Sequence, residues 1–410
     1  MARSLGLTAY RALVRRGEAH EEVPMTQRPS GELVWIHAAE AGNMIAVQDL
    51  ATRLCANRIG LNVLITVAED AFVAPPQSAA LEGLLIVERI PTEHPKSVAA
   101  FLDHWKPDTC IWTWGALRPN LILAAVDQGC PLFLIDADTK GFDGRRDRWL
   151  PDLTRDLLTH FSAVLTRSDA GLRRLVQLGL PRPEIEVTSP LLAGGQALQC
   201  ADSDLTELSA ALGGRPVWFA AQVSLAEVPI VLTAHRQALR LSHRLLLILH
   251  PADPGDVEAT IDQATSRDFN LSQWNGVTHP DDATQVMIAE DTADLGLFYR
   301  VAPVSFLGSS LISDQGGFDP FEAAALGSAV LYGPKVRRFM PSYTRLAAAG
   351  AARIVNDADA LGTAVSRLIA PDQAAAMAHA GWDVISQGAE LTDRVIDLVQ
   401  DALDSRVGRS

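Results

Sequence analysis

Basic residues are in short supply: 35 Lys and Arg stand against 49 Asp and Glu, a formal net charge of −14. Neutralising nucleic-acid phosphates takes a basic face, so this balance speaks against a nucleic-acid partner. Cysteine is scarce too. Cys55, Cys110, Cys130 and Cys200 are the only four, and no two form a Cys-x-x-Cys pair. That excludes the usual zinc and dithiol motifs and suits buried thiols in a reducing compartment. No apolar run nears the roughly 18–20 residues that cross a bilayer. The first residues lack the apolar stretch and cleavage site of a secretory signal. The expected location is therefore the cytoplasm or the cytoplasmic face of a membrane. Solenoid repeats and low-complexity tracts are absent.

What is present is apolar material for two cores: 410 residues, 48% hydrophobic and 20% charged. Short apolar, β-rich runs predict strands at 33–38, 61–67, 84–89, 109–113, 132–136, 163–166 and 184–188. Segments with apolar residues at helical spacing, such as 96–105 and 170–178, lie between them. This alternation predicts a doubly wound parallel sheet. The rhythm breaks across 189–216, where Gly194-Gly195 and Gly213-Gly214 flank a polar, acidic segment. It then resumes with strands at 216–220, 245–249, 285–289, 304–307, 329–332 and 352–355. A last helix spans about 391–403. Two similar α/β halves predict a cleft, with ligands at the carboxyl ends of strands where strand order switches.

Val304-Ser305-Phe306-Leu307 runs into the small-residue turn Gly308-Ser309-Ser310. Gly316-Gly317-Phe318-Asp319-Pro320-Phe321-Glu322 then opens a short helix. Small residues let backbone N–H groups approach a phosphate. Glu322 is placed to accept hydrogen bonds from vicinal ribose hydroxyls. The plainer reading is a carboxylate that favours the helix dipole, and composition alone favours that one.

These residues carry a resemblance. Gly316-Gly317-x-x-Pro320-x-Glu322-x-Ala324-Ala325-Leu326-Gly327, followed by Val330-Leu331-x-Gly333-Pro334, resembles the nucleotide-binding signature of the Kdo (3-deoxy-manno-octulosonic acid) transferases. So does Glu290-Asp291-Thr292-x-x-Leu295-Gly296-Leu297-Phe298-Tyr299. Arg28-Pro29-x-Gly31-x-x-x-Trp35-Ile36-His37-Ala38, Trp105-x-Pro107-Asp108, Arg118-Pro119-Asn120-Leu121 and Arg215-Pro216-Val217-Trp218 extend the likeness from about residue 28 to 370.

The resemblance implies an α/β fold of GT-B type, two Rossmann-like domains facing across a cleft. It implies inverting transfer of Kdo from CMP-Kdo onto a lipid A precursor at the inner membrane face, with no cofactor and no metal. The implied divisions are a 1–27 amphipathic segment, a 28–192 acceptor-side domain, a 193–214 linker, a 215–385 nucleotide-sugar domain and a 386–410 helix. The implied nucleotide contacts are Gly308, Ser309, Gly316, Gly317, Asp319, Glu322 and His250. The acceptor contacts are His37 and Gly42. A lone His at a strand end, as His250 is, more often serves structure.

The sequence departs from the pattern where a carboxylate base is needed. Asn43 stands at the family's base position, and a carboxamide does not take up a proton near neutral pH. Glu40 is the nearest carboxylate. The stretch Trp114-Gly115-Ala116-Leu117 lacks the acids expected before Pro119-Asn120. Leu249 and Asp253 flank His250-Pro251 where arginines are expected, and Gln222-Val223-Ser224 replaces Ser-Thr-His.

Leu5, Tyr10, Leu13 and Val14 form an apolar stripe ringed by Arg3, Arg11, Arg15 and Arg16. Such a helix rests on anionic lipid or packs on its own domain. The clusters Arg145-Arg146-Asp147-Arg148 and Lys335-Val336-Arg337-Arg338 suit acceptor phosphates or plain solvated surface. The favoured expectation is a Kdo-type glycosyltransferase of lipopolysaccharide synthesis, with Glu40 and Asn43 at its catalytic position and a peripheral membrane location. The rivals are a catalytically degenerate paralogue that binds nucleotide, lipid or a partner, and a transferase for another nucleotide sugar.

Overall fold

The computed structural model describes residues 10, 25–40, 44–67, 84–140, 151–194, 197–276, 278–312 and 315–407. The expected N-terminal amphipathic helix, apart from Tyr10, and the Arg145–Arg148 cluster lie outside these residues. The chain divides into two α/β units, 1–193 with 387–410, and 194–386.

The first unit holds seven parallel strands: β1 (Leu33–Ala38), β2 (Asn62–Val67), β3 (Leu85–Arg89), β4 (Thr109–Thr113), β5 (Leu132–Ala137), β6 (Ala163–Thr166) and β7 (Ile185–Val187). Their order is β3-β2-β1-β4-β5-β6-β7. Every residue of β1 and β2 is buried, which is why both read as nearly continuous apolar runs: parallel strands are covered on both faces. Trp35, Trp105 and Trp112 fill the core, with Trp35 edge-on to Trp112 at 5.9 Å.

The C-terminal helix, Ala389–Val407, belongs to this unit. It buries Leu391, Val395, Val399 and Leu403, one residue per turn. Arg394 pairs with Glu186 at 2.9 Å and Asp404 with Arg58 at 2.8 Å. The apolar stripe supplies most of the attachment, because partly exposed ion pairs contribute little.

The second unit repeats the plan with β8 (Val217–Val223), β9 (Leu246–Pro251), β10 (Leu271–Gln273), β11 (Val286–Ile288), β12 (Val304–Leu307), β13 (Ala329–Tyr332) and β14 (Ala352–Ile354). All are parallel, in the order β10-β11-β9-β8-β12-β13-β14. The segment read as linker contains the helix Asp202–Leu212, which ends on Gly213 at φ 54°. Buried Arg215 donates to the carbonyls of Arg244, Asp281 and Thr284, tying the start of this unit to two later loops.

In both sheets the first strand has a later strand as its second neighbour. The chain leaves β1 towards β2 and returns beside it as β4. It leaves β8 towards β9 and returns as β12. Each sheet therefore has a switch point at which loops diverge, the place where open α/β sheets bind ligands. No helix among the described residues is long and apolar enough to cross a membrane.

Candidate functional site

In the second unit, four loops interlock at the carboxyl edge of the sheet. Gly308 follows β12, and a Cβ there would lie 2.6 Å from the Val223 Cα at the end of β8. Gly333 follows β13, and its Cβ would meet the Ser310 carbonyl at 2.2 Å. These two glycines serve the approach of backbone to backbone. Ala252, just past β9, donates its N–H to the Val223 carbonyl at 2.9 Å.

The buried carboxylate of Glu227 locks the loop after β12. Its Oε2 accepts the Ser309 N–H at 2.5 Å, and its Oε1 accepts the N–H groups of Leu311 at 2.6 Å and Ile312 at 3.0 Å. Sequence reasoning missed Glu227. Its partners lie more than 80 residues downstream, and no local pattern marks it. Ser309, read from sequence as a nucleotide contact, is held inside the protein. It sits at φ 51° with its hydroxyl donating to the Gln222 carbonyl at 3.0 Å.

Around this lock, buried polar atoms lack partners. Neither ring nitrogen of His250 makes a geometrically acceptable hydrogen bond, although the Glu290 backbone lies near. The ring is 1% exposed, and desolvation lowers its pKa. Gln222 Oε1 near the end of β8 and Ser224 Oγ just past it are likewise unpartnered, as is the Tyr299 hydroxyl. Buried polar groups are rarely left unsatisfied. Several on one edge of a sheet, beside its switch point, mark a place built for a polar ligand.

Glu322 belongs to the same region. Asp319 caps the helix Pro320–Ala325, its Oδ1 accepting the Phe321 N–H at 2.9 Å. That occupies one oxygen of a residue expected to meet the nucleotide. Glu322, in the first turn, is half-buried and accepts no hydrogen bond from a described residue. Desolvation, with a smaller push from Asp319, raises its pKa to about 8. The unpartnered Tyr299 hydroxyl lies close enough to feel its charge. Gly316 and Gly317 adopt φ 89° and 78°, the left-handed region that glycine tolerates best.

In the first unit, His37 at the end of β1 is buried. Its Nδ1 lies 3.0 Å from Thr66 Oγ1, and its ring stacks on Trp112 at 4.2 Å. Desolvation, then Arg118, depresses its pKa to about 3, so the imidazole is neutral at ordinary pH. Ala39 N–H donates to Thr113 Oγ1 at 2.9 Å, and that hydroxyl donates to the His37 carbonyl at 3.1 Å. These bonds fix the exit of β1 beside β4, and exposed Glu40 follows immediately. Gly42 and Asn43 lie outside the described residues. Asp136, at the end of β5, is a buried carboxylate that sequence reasoning did not single out. It accepts the Leu191 N–H at 2.9 Å and Arg167 at 2.5 Å, and burial pushes its pKa to about 6.

The family model described as 3-Deoxy-D-manno-octulosonic-acid transferase (kdotransferase) matches residues 11–191. A 3-deoxy-D-manno-octulosonic acid transferase of Bordetella pertussis is 28% identical over 405 residues, covering 96% of this chain and 92% of that protein. One from Haemophilus influenzae is 24% identical over 385 residues, covering 92% and 89%. A solved C-terminal CMP-Kdo binding domain from Acinetobacter baumannii overlaps loosely, at 19% identity and a TM-score of 0.41, over 45% of this chain and 99% of that one. The chain is a divergent relative of the 3-deoxy-D-manno-octulosonic acid transferases, a family of glycosyltransferases.

Proposed function

We propose that this protein moves Kdo, or a similar acidic sugar, from a CMP donor to a lipid A precursor in lipopolysaccharide synthesis, working at the cytoplasmic face of the membrane. The observation that carries the nucleotide half of this reading is the group of unpartnered buried polar atoms on Gln222, Ser224 and His250 at the β8 switch point. The relatives' names support the sugar and the reaction. Glu322 accepts the ribose hydroxyls, and Glu40 is the base for the acceptor hydroxyl. No metal takes part in this reading. The departure at Asn43 favours a second reading, a degenerate paralogue that keeps nucleotide binding without transfer.

The nucleotide half is tested by titrating CMP into wild type and Glu322→Gln. The substitution keeps the shape and removes the charge that strengthens two hydrogen bonds. Above pH 8, where the carboxyl is ionised, affinity is expected to fall by roughly 1.5–3 kcal/mol. The pH dependence follows from the raised pKa: the ionised carboxyl is the better acceptor, so wild-type affinity rises from pH 7 through about 8. The CMP phosphate titrates near about 6, below this window, and Glu322→Gln stays flat across it. Unchanged binding in Glu322→Gln removes that residue from the site.

A further inference from the structure

We propose that Arg337 and Arg338 hold the anionic part of the sugar-nucleotide donor, its phosphate and any acid group on the sugar. This deepens the reading of the second unit as the nucleotide-binding half, and rests on it.

The case begins with which loops carry positive charge. All seven strands of the second sheet are parallel, so the loops that follow them leave from one edge. Those loops are 224–227, 252–256, 274–280, 289–294, 308–319, 333–339 and 355–357, while 281–285 has already returned to the opposite edge, where Arg215 ahead of β8 binds the Asp281 and Thr284 carbonyls. Only 333–339, after β13, contains Lys or Arg. The others carry no Lys or Arg, and their described residues include Glu227, Asp253, Asp256, Glu290, Asp291, Asp294, Asp319 and Asp357. An anionic donor approaching such an edge meets acidic or uncharged loops except at this one.

The loop is also built into the turn that leads to Glu322. The Arg338 N–H donates to the Gly316 carbonyl at 3.3 Å, and Lys335 N–H donates to the Ser310 carbonyl at 2.8 Å. A Cβ on Gly316 would meet Arg338 Cβ at 3.0 Å, and one on Gly317 would meet Val336 at 3.1 Å. The space left by the two glycines is therefore filled by the basic segment itself. Lys335 Nζ donates to the Ile312 carbonyl at 2.8 Å, strapping the segment across the loop after β12.

Arg337 and Arg338 are exposed, and neither forms an ion pair with any described residue. The Arg338 guanidinium rests over the Phe339 ring at 5.3 Å, a contact that leaves its N–H groups available. The two arginines open the 3-10 turn Arg337–Phe339, and their charges have no anionic partner among the described residues. A phosphate or carboxylate reaching this loop gains charge-assisted hydrogen bonds from either guanidinium. This assignment also supplies the positive charge that the surroundings of His250 lack.

The test compares nucleotide with nucleoside. CMP and cytidine are titrated calorimetrically into the full-length protein, then into Arg337→Gln, Arg338→Gln and the double variant, with UMP and uridine run in parallel. Arg353→Gln, an exposed arginine on β14, controls for net charge. CMP affinity is expected to fall roughly ten- to a hundredfold in the double variant, the scale of a lost charge-assisted hydrogen bond. Cytidine affinity and the Arg353→Gln variant should stay at wild-type values. CMP binding within about twofold of wild type in the double variant overturns the proposal, as does a parallel loss for CMP and cytidine. Wild type that binds no nucleoside monophosphate at all overturns the nucleotide-binding reading itself, a result distinct from either.

Discussion

Replacing Glu40 by Gln is expected to lower sugar transfer by roughly 100- to 10,000-fold, the usual contribution of a positioned base, while donor affinity stays unchanged. A hydroxyl nucleophile needs an acceptor for its proton within hydrogen-bond reach. In the stretch 37–43 the candidates are few. His37 is buried, has Nδ1 beside Thr66 and a pKa pushed down to about 3, which makes it a poor base. Asn43 is an amide. Glu40 is exposed, and it follows a strand end fixed by the Ala39–Thr113–His37 hydrogen bonds at the switch point of the first sheet. Gly115 lets the β4 loop close on that exit, since a Cβ there would lie 2.5 Å from Ala39 Cβ. Asn43→Glu is the companion variant: with Glu40 as base it adds little. Full turnover in Glu40→Gln, measured by single-turnover transfer, removes Glu40 from the mechanism.

Glu227→Ala is expected to destabilise the second unit by about 3–5 kcal/mol. It strands three backbone N–H groups in a buried loop, each costing on the order of 1–3 kcal/mol when unsatisfied, with incomplete additivity. Glu227→Gln should cost roughly half as much. Its carbonyl oxygen can replace Oε1 and keep Leu311 and Ile312, while its amide faces the Ser309 N–H as donor against donor. Amide hydrogen exchange at residues 309, 311 and 312 is the suitable readout, because a protein of two units need not unfold in one step. Protection at these amides that survives Glu227→Ala would show that the loop is held by its packing rather than by the carboxylate.

The architecture was legible where local chemistry dominates. Nearly continuous apolar runs marked β1, β4, β6, β12 and β13 to the residue, because strands covered on both faces are mostly apolar. The sequence places the next helix at 323–326, and it opens three residues earlier, at Pro320, where Asp319 caps it. β10 was missed: Leu271-Ser272-Gln273 is a three-residue edge strand with a single apolar side chain. β9 runs past its apolar run to Pro251 because Pro251 pairs with Val223, a register decided by the neighbouring strand.

The site was legible only in part, for the same reason. Local sequence singles out Glu322 and the Gly316-Gly317 turn as candidates. Glu227, Asp136 and the packing roles of Gly308 and Gly333 depend on partners far along the chain. The basic segment 335–338 looks like ordinary surface until the sheet order shows that the other six loops on its edge carry no Lys or Arg.

The central claim is that this chain transfers an acidic sugar. The direct measurement is incubation of the wild-type protein with radiolabelled CMP-Kdo and a lipid A precursor, reading label in the lipid fraction. Label that moves to the lipid and is lost in Glu40→Gln is the predicted result. CMP bound normally with no label transferred would contradict the claim and leave a nucleotide-binding relative that has lost its chemistry.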